Sequence, residues 1–174
     1  ASWSTDDTEF GLLTAQTLIE ANGRLTPEIV EEAWKKHVVT QGEELNRGGN
    51  SEMEAAANLR RGLMPPYTGL YNAYAFSDGA AMRAAPIGIV FAGDLPGAAQ
   101  AAEIDASISH CRDGVWGAQS VACAVAAAVA GASFEEILDA ALYPVPKTSW
   151  YYYTFQLAMD IVRQADGRLL DAWM

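Results

Sequence analysis

Cationic side chains are scarce in this sequence: 11 Lys and Arg stand against 22 Asp and Glu, for a net charge of −11 over 174 residues. So acidic a chain lacks the electrostatic attraction on which nonspecific nucleic-acid binding depends, and nothing draws it to an anionic membrane. Neither partner is expected. An anionic small ligand stays open, because a bound divalent metal inverts the local field wherever carboxylates converge. Cysteine is scarcer still. Cys111 and Cys123 are too few for a disulfide framework and carry no CxxC or Cys/His ligand spacing, so both are read as free thiols, Cys123 as a small core residue. The first residues show no basic stretch followed by an apolar one, so nothing argues for secretion and the cytoplasm is the default. Long apolar runs are missing too. The most membrane-like segment, Val115 to Ala130, is short, consists mainly of Ala and Val and carries Gln119 and Ser120, which suits a buried core helix.

Sustained period-two alternation is also absent, and helical punctuation takes its place. The hydrophobic share of 51% is enough for a real core in one domain over residues 1–174. Phe10, Leu13, Thr14, Thr17 and Leu18 make one face of a first helix ending at Gly23, a left-handed C-cap candidate. Thr26-Pro27-Glu28 opens a second helix with Ile29, Val30, Ala33 and Trp34 on its apolar face, and Gly42 follows it. Ser51 with Glu54 predicts a capping box for a third helix that Gly62 closes, and Ser133 with Glu136 predicts another. Pro86 marks a further start. Trp150, Tyr153, Thr154, Leu157, Ile161 and Val162 then keep helical spacing up to Gly167. The chain is therefore read as all-α, with about seven or eight helices around a small-residue central one, Val115 to Ala130.

The densest chemistry lies at the start. Ser4-Thr5-Asp6-Asp7-Thr8-Glu9 packs hydroxyls and carboxylates into the first turn of a helix. Hard oxygens of this kind suit Mg²⁺, yet Thr5 is equally a good N-cap and the acids sit where the helix dipole favours anions. Both readings stand on this motif alone. Two loops differ from the helices in composition. Asn46-Arg47-Gly48-Gly49-Asn50 is polar, and Tyr67 to Phe76 is rich in Tyr and Asn and runs into Ser77-Asp78-Gly79-Ala80-Ala81-Met82-Arg83. Its aromatic faces could cradle a nucleotide or sugar-phosphate, or could simply cover the core.

Three motifs in order, TDDTEF, SDGAAMRAAPIG and SHCRDGVWGA, resemble the ADP-ribosylglycohydrolase family over nearly the whole chain. The resemblance implies a compact multi-helix orthogonal bundle holding two Mg²⁺ ions in a cleft, with Mn²⁺ as an alternative. It implies hydrolysis of the glycosidic bond that joins ADP-ribose to a protein side chain or small acceptor. Some relatives are non-catalytic, including eye-lens crystallins. Matched residue by residue, Thr5, Asp6 and Asp7 become metal ligands, with Asp6 and Asp7 also catalytic. Ser77, Asp78, Gly79, Ala80 and Met82 line the ADP-ribose cleft, and His110 sits beside the ribose and diphosphate. From the residues alone, His110 reads as a hydrogen-bonded histidine at a helix end. Family members often carry Asp where this chain has Cys111.

The chain lacks the family's N-terminal Gly-Asp-Ala-like helix and its Asp-x-Asp-Thr segment. It is therefore expected to be a fragment, a truncated paralogue or one piece of a split protein, without the flanking helices, and to self-associate or bind a complementing polypeptide. Two other functions remain: a non-catalytic ADP-ribose-binding or crystallin-like relative, and a glycosidase acting on a nucleoside-type N-riboside.

Overall fold

A computed structural model describes residues 4–40 and 48–165. Gly42, Asn46, Arg47 and Gly167 of the readings above lie outside the described residues. Helices run α1 Asp6–Glu20, α2 Pro27–His37, α3 Asn50–Arg60, α4 Tyr67–Leu70, α5 Ala85–Val90, α6 Leu95–Ala106, α7 Asp113–Val129, α8 Phe134–Leu142 and α9 Trp150–Gln164, with a 3-10 turn at Ala81–Arg83. The fold is all-α. It holds more helices than the sequence suggested because a short turn of helix, α4, forms inside the Tyr-rich stretch.

Local signals explain most helix ends. Thr26 accepts the Ile29 amide at 3.3 Å with Pro27 in the first turn. Ser133 and Glu136 complete a reciprocal capping box. Gly23 and Gly62 take left-handed φ values of 77° and 85° just past α1 and α3, where a Cβ would be strained. The capping box expected at Ser51 does not form. Gly49 is the N-cap of α3, and no side chain caps it. The Ser51 hydroxyl turns instead toward Ser77 and Glu52, while Glu54 pairs with Arg61 at 3.3 Å.

Helix α7 is the axis of the molecule and packs on α5, α6 and α8. Small residues allow this. Ala118, Ala122, Cys123 and Ala126 lie in one core cluster with Ala84, Ile87, Ala98 and Ala102. A second cluster joins Phe10, Val30, Trp34, Ala55, Ala56, Leu59 and Ile108, with Phe10 and Trp34 rings 5.4 Å apart. Both thiols are free, Cys123 buried and Cys111 half-buried; burial pushes the Cys123 thiol up to about 11. No helix among the described residues is long and apolar enough to cross a membrane. Helix α9 buries none of its residues, so the face read from Trp150, Tyr153, Leu157 and Ile161 stays exposed.

Candidate functional site

Three distant stretches meet at one end of the bundle. The first turn of α1, the start of α3 and the Ser77–Met82 segment surround a pocket of about 220 Å³. Asp6, Glu52 and Asp78 bring carboxylates to it, Ser51 and Ser77 bring hydroxyls, and Tyr74 and Met82 add an aromatic and a thioether surface. Among the described residues, no Lys, Arg or His lines it. Thr5 stands at the N-cap of α1, but its side chain caps nothing; its hydroxyl lies 3.4 Å from that of Thr8.

The structure separates the residues singled out from sequence. Asp6, Ser77, Asp78, Gly79 and Met82 share the pocket. Thr5 and Asp7 are exposed and are not part of its lining. Helical geometry accounts for this, since α1 is already wound at Asp6 and neighbours diverge by about 100°. Ala80 is buried in the apolar core under the pocket.

His110 lies behind the pocket wall, 1% exposed. Its Nε2 is 3.0 Å from Ser77 Oγ and its Nδ1 is 2.7 Å from Ser109 Oγ. Burial, helped by the nearby Arg83 charge, pushes its pKa down to about 3, so the ring is neutral. Glycines let neighbouring segments close on it. A Cβ at Gly114 would come within 2.8 Å of the imidazole, and one at Gly69 would strike the His110 backbone.

Arg83 organises the whole corner from a fully buried position. Its Nε donates to Asp105 Oδ2 at 2.7 Å, Nη1 to the Gly79 carbonyl at 3.1 Å, and Nη2 to the Asp105 carbonyl at 3.1 Å and Ser109 Oγ at 2.9 Å. The guanidinium also sits 5.1 Å from the centre of the Trp34 ring. Asn72, buried in the Tyr-rich stretch, ties α3 to the end of α6 by donating to the Ser51 and Ser109 carbonyls at 2.8 Å each. Tyr67 and Tyr71 stack in solvent with centroids 6.1 Å apart.

Glu52 escaped sequence reasoning. It is 1% exposed, accepts the Ser51 hydroxyl at 2.9 Å, and keeps Oε1 without a hydrogen bond among the described residues, 3.6 Å from Arg83 Nη1. Gly49 and Gly79 make room for its two oxygens. A Cβ at Gly49 would fall 2.7 Å from Oε2 and 3.9 Å from Asp6 Oδ2, and one at Gly79 would collide with Oε1. A signal was present, because 52, 55, 56 and 59 lie on one helical face whose other three members, Ala55, Ala56 and Leu59, are core residues. A carboxylate on that face must find a buried partner.

The donors suit a hard cation only in part. Among the described residues no group of three or more His, Cys, Asp or Glu is placed to hold a metal ion. Thr5, Asp6 and Asp7 follow one another at the head of α1, a set of oxygens too small for a closed paired-ion cage.

An all-helical protein with an acidic, hydroxyl-lined pocket at the mouth of its first helix is the class these observations define. The family model described as ADP-ribosylglycohydrolase matches residues 1–173, and the chain belongs to that family. It is 36% identical over 141 residues to an uncharacterized protein of Archaeoglobus fulgidus, a match that takes in 79% of this chain and 44% of that protein. The chain thus spans less than half the length of that curated relative. No solved structure gives a significant match.

Proposed function

We propose that this chain forms the ADP-ribose-binding part of a Mg²⁺-dependent hydrolase, with Mn²⁺ as an alternative ion, that cleaves the glycosidic bond between ADP-ribose and a protein side chain or small acceptor. One observation carries the reading. Asp6 and the Ser77–Met82 segment, some 70 positions apart in sequence, line the same pocket, and they belong to two of the motifs, TDDTEF and SDGAAMRAAPIG, on which the resemblance to the family rests.

The chain's residues divide the work. Thr5, Asp6 and Asp7 would hold one side of the metal. When bound, Mg²⁺ stabilises charge developing at the anomeric centre and lowers the pKa of its water. Asp6, half-buried in the pocket lining, would be the carboxylate that moves a proton there. Ser77, Asp78, Gly79 and Met82 would orient the sugar, and His110, neutral and enclosed, positions Ser77 from behind. Ala80 supports that segment from the core.

A second reading, a non-catalytic ADP-ribose binder, is favoured by the lack of a three-carboxylate metal cluster among the described residues. Calorimetry with ADP-ribose, with and without Mg²⁺, and a release assay on ADP-ribosyl-arginine, ADP-ribosyl-serine and a nucleoside test both. The expected result is ADP-ribose binding that Mg²⁺ strengthens and Asp6→Asn weakens, negligible turnover by the chain alone, and turnover restored by a polypeptide carrying an Asp-x-Asp-Thr motif. Binding indifferent to Mg²⁺ and to Asp6→Asn supports the binder. Nucleoside cleavage without ADP-ribose binding overturns both.

A further inference from the structure

Six side chains from separate parts of the chain close a polar circuit beneath the pocket: Arg83, Ser109, His110, Ser77, Ser51 and Glu52. Counting hydrogens fixes its direction. The Glu52 carboxylate can only accept, so Ser51 spends its one hydroxyl proton there, at 2.9 Å. Ser51 must then accept from Ser77, also at 2.9 Å. Ser77 has no proton left for His110, so Nε2 carries the hydrogen and donates to it across 3.0 Å. In a neutral ring Nδ1 is then bare and accepts from Ser109, which itself accepts from Arg83 at 2.9 Å. Every bond runs one way, from a group that only donates to one that only accepts.

We propose that this circuit sets the donor–acceptor polarity of the pocket, with Glu52 as its positioning residue: Ser77 Oγ, its proton committed to Ser51, meets the ligand as an acceptor and selects a sugar hydroxyl over a phosphate oxygen. The proposal rests on the ADP-ribose reading of the same pocket. The remaining lining agrees with it. Asp6 and Asp78 add acceptors, no cationic side chain lines the pocket among the described residues, and a volume of about 220 Å³ suits one sugar ring rather than a whole nucleotide.

The test pairs binding with spectroscopy. ADP-ribose and analogues with each hydroxyl of the terminal ribose replaced by fluorine, which accepts but cannot donate, are titrated by calorimetry into the wild-type chain, Glu52→Gln and Ser51→Ala. The wild type should prefer ADP-ribose over one of the fluoro analogues by roughly three- to tenfold. Both variants should lose that preference, Glu52→Gln by placing a donor where the circuit needs an acceptor and Ser51→Ala by freeing the Ser77 proton. If Glu52→Gln does not fold, Ser51→Ala carries the test. Nitrogen-15 NMR of the imidazole should show the Nε2–H tautomer at His110, independent of any ligand. An Nδ1–H tautomer overturns the circuit, and a preference unchanged in the variants overturns its role in selection. An Nε2–H tautomer in a chain that binds no ADP-ribose overturns the proposed function, and this ligand assignment with it, while leaving the circuit intact.

Discussion

Lowering the pH from 6.5 to 4.5 should weaken the fold by about 2 kcal/mol through His110 alone. The imidazole is 1% exposed and holds a hydrogen bond at each nitrogen, and its folded pKa is pushed down from 6.5 to about 3, first by burial and then by Arg83. An unfolded chain takes up this proton as the pH falls through its ordinary value, whereas the folded chain does not. Protons therefore favour the unfolded state throughout the interval between the two pKa values. The stability is fully present above 6.5 and drains away as the pH falls toward 3. Over the upper two pH units the loss is about 2 kcal/mol, a sizeable part of the roughly 5–15 kcal/mol that holds a domain together. Urea unfolding at pH 6.5, 5.5 and 4.5, run on the wild type and on His110→Gln, isolates the effect. Both proteins carry the same carboxylates, whose own acid response cancels in the difference. The wild type should lose about 2 kcal/mol more than the variant over this range. Parallel pH dependences would refute the buried, neutral histidine.

Arg83→Lys keeps the charge but cannot reach Asp105, Ser109 and Gly79 together. It should cost about 3 kcal/mol or more in urea unfolding, and a loss under about 1 kcal/mol would contradict the hub. Gly79→Ala drives a methyl group into the Glu52 carboxylate. It should lower stability by about 1–3 kcal/mol and weaken ADP-ribose binding in calorimetry, and unchanged values for both would show that the pocket wall yields freely. On α7, two buried glycines should behave oppositely. Gly117→Ala meets only ordinary contacts at 3.6 and 3.8 Å and should gain about 0.5–1 kcal/mol of helix stability, whereas Gly114→Ala collides with the Ala75 carbonyl and should lower the melting temperature. The reverse order in thermal melts would contradict the packing around His110.

Legibility in the sequence followed the range of the interaction. Thr26-Pro27 and Ser133-Glu136 were readable because cap and capped amide lie within one turn. Ser51 failed the same rule because its hydroxyl has a partner 26 positions away in Ser77, which wins over the local amide. Glu52 was readable only as a carboxylate on an apolar face, since what it does there depends on Arg83, 31 positions on. The family motifs pointed to Asp6 and Ser77–Met82 without showing that one pocket joins them. Periodicity described α9 correctly as a helix with an apolar face, but no pattern along a strand of sequence says whether a partner surface exists to cover it. Within the Tyr-rich stretch, Asn72 rather than a tyrosine proved to be the tie between segments.

The alanine-rich seam along α7 inverts the usual sensitivity of a protein interior. Most cores fail when a large side chain is trimmed, because the hole left behind has no tenant. Here many contact positions, among them Ala118, Ala122 and Ala126, have almost nothing to trim. Growth is what the seam cannot absorb. A single methyl group at Gly88 of α5 would already meet the Ala122 carbonyl and the Val125 side chain of α7. Substitutions that enlarge this interface push the helix axes apart and reach every neighbour of α7 at once. Drift at these positions is thus confined to a narrow range of volumes, and the spacing of α7 from its neighbours is set by backbone rather than by side chains.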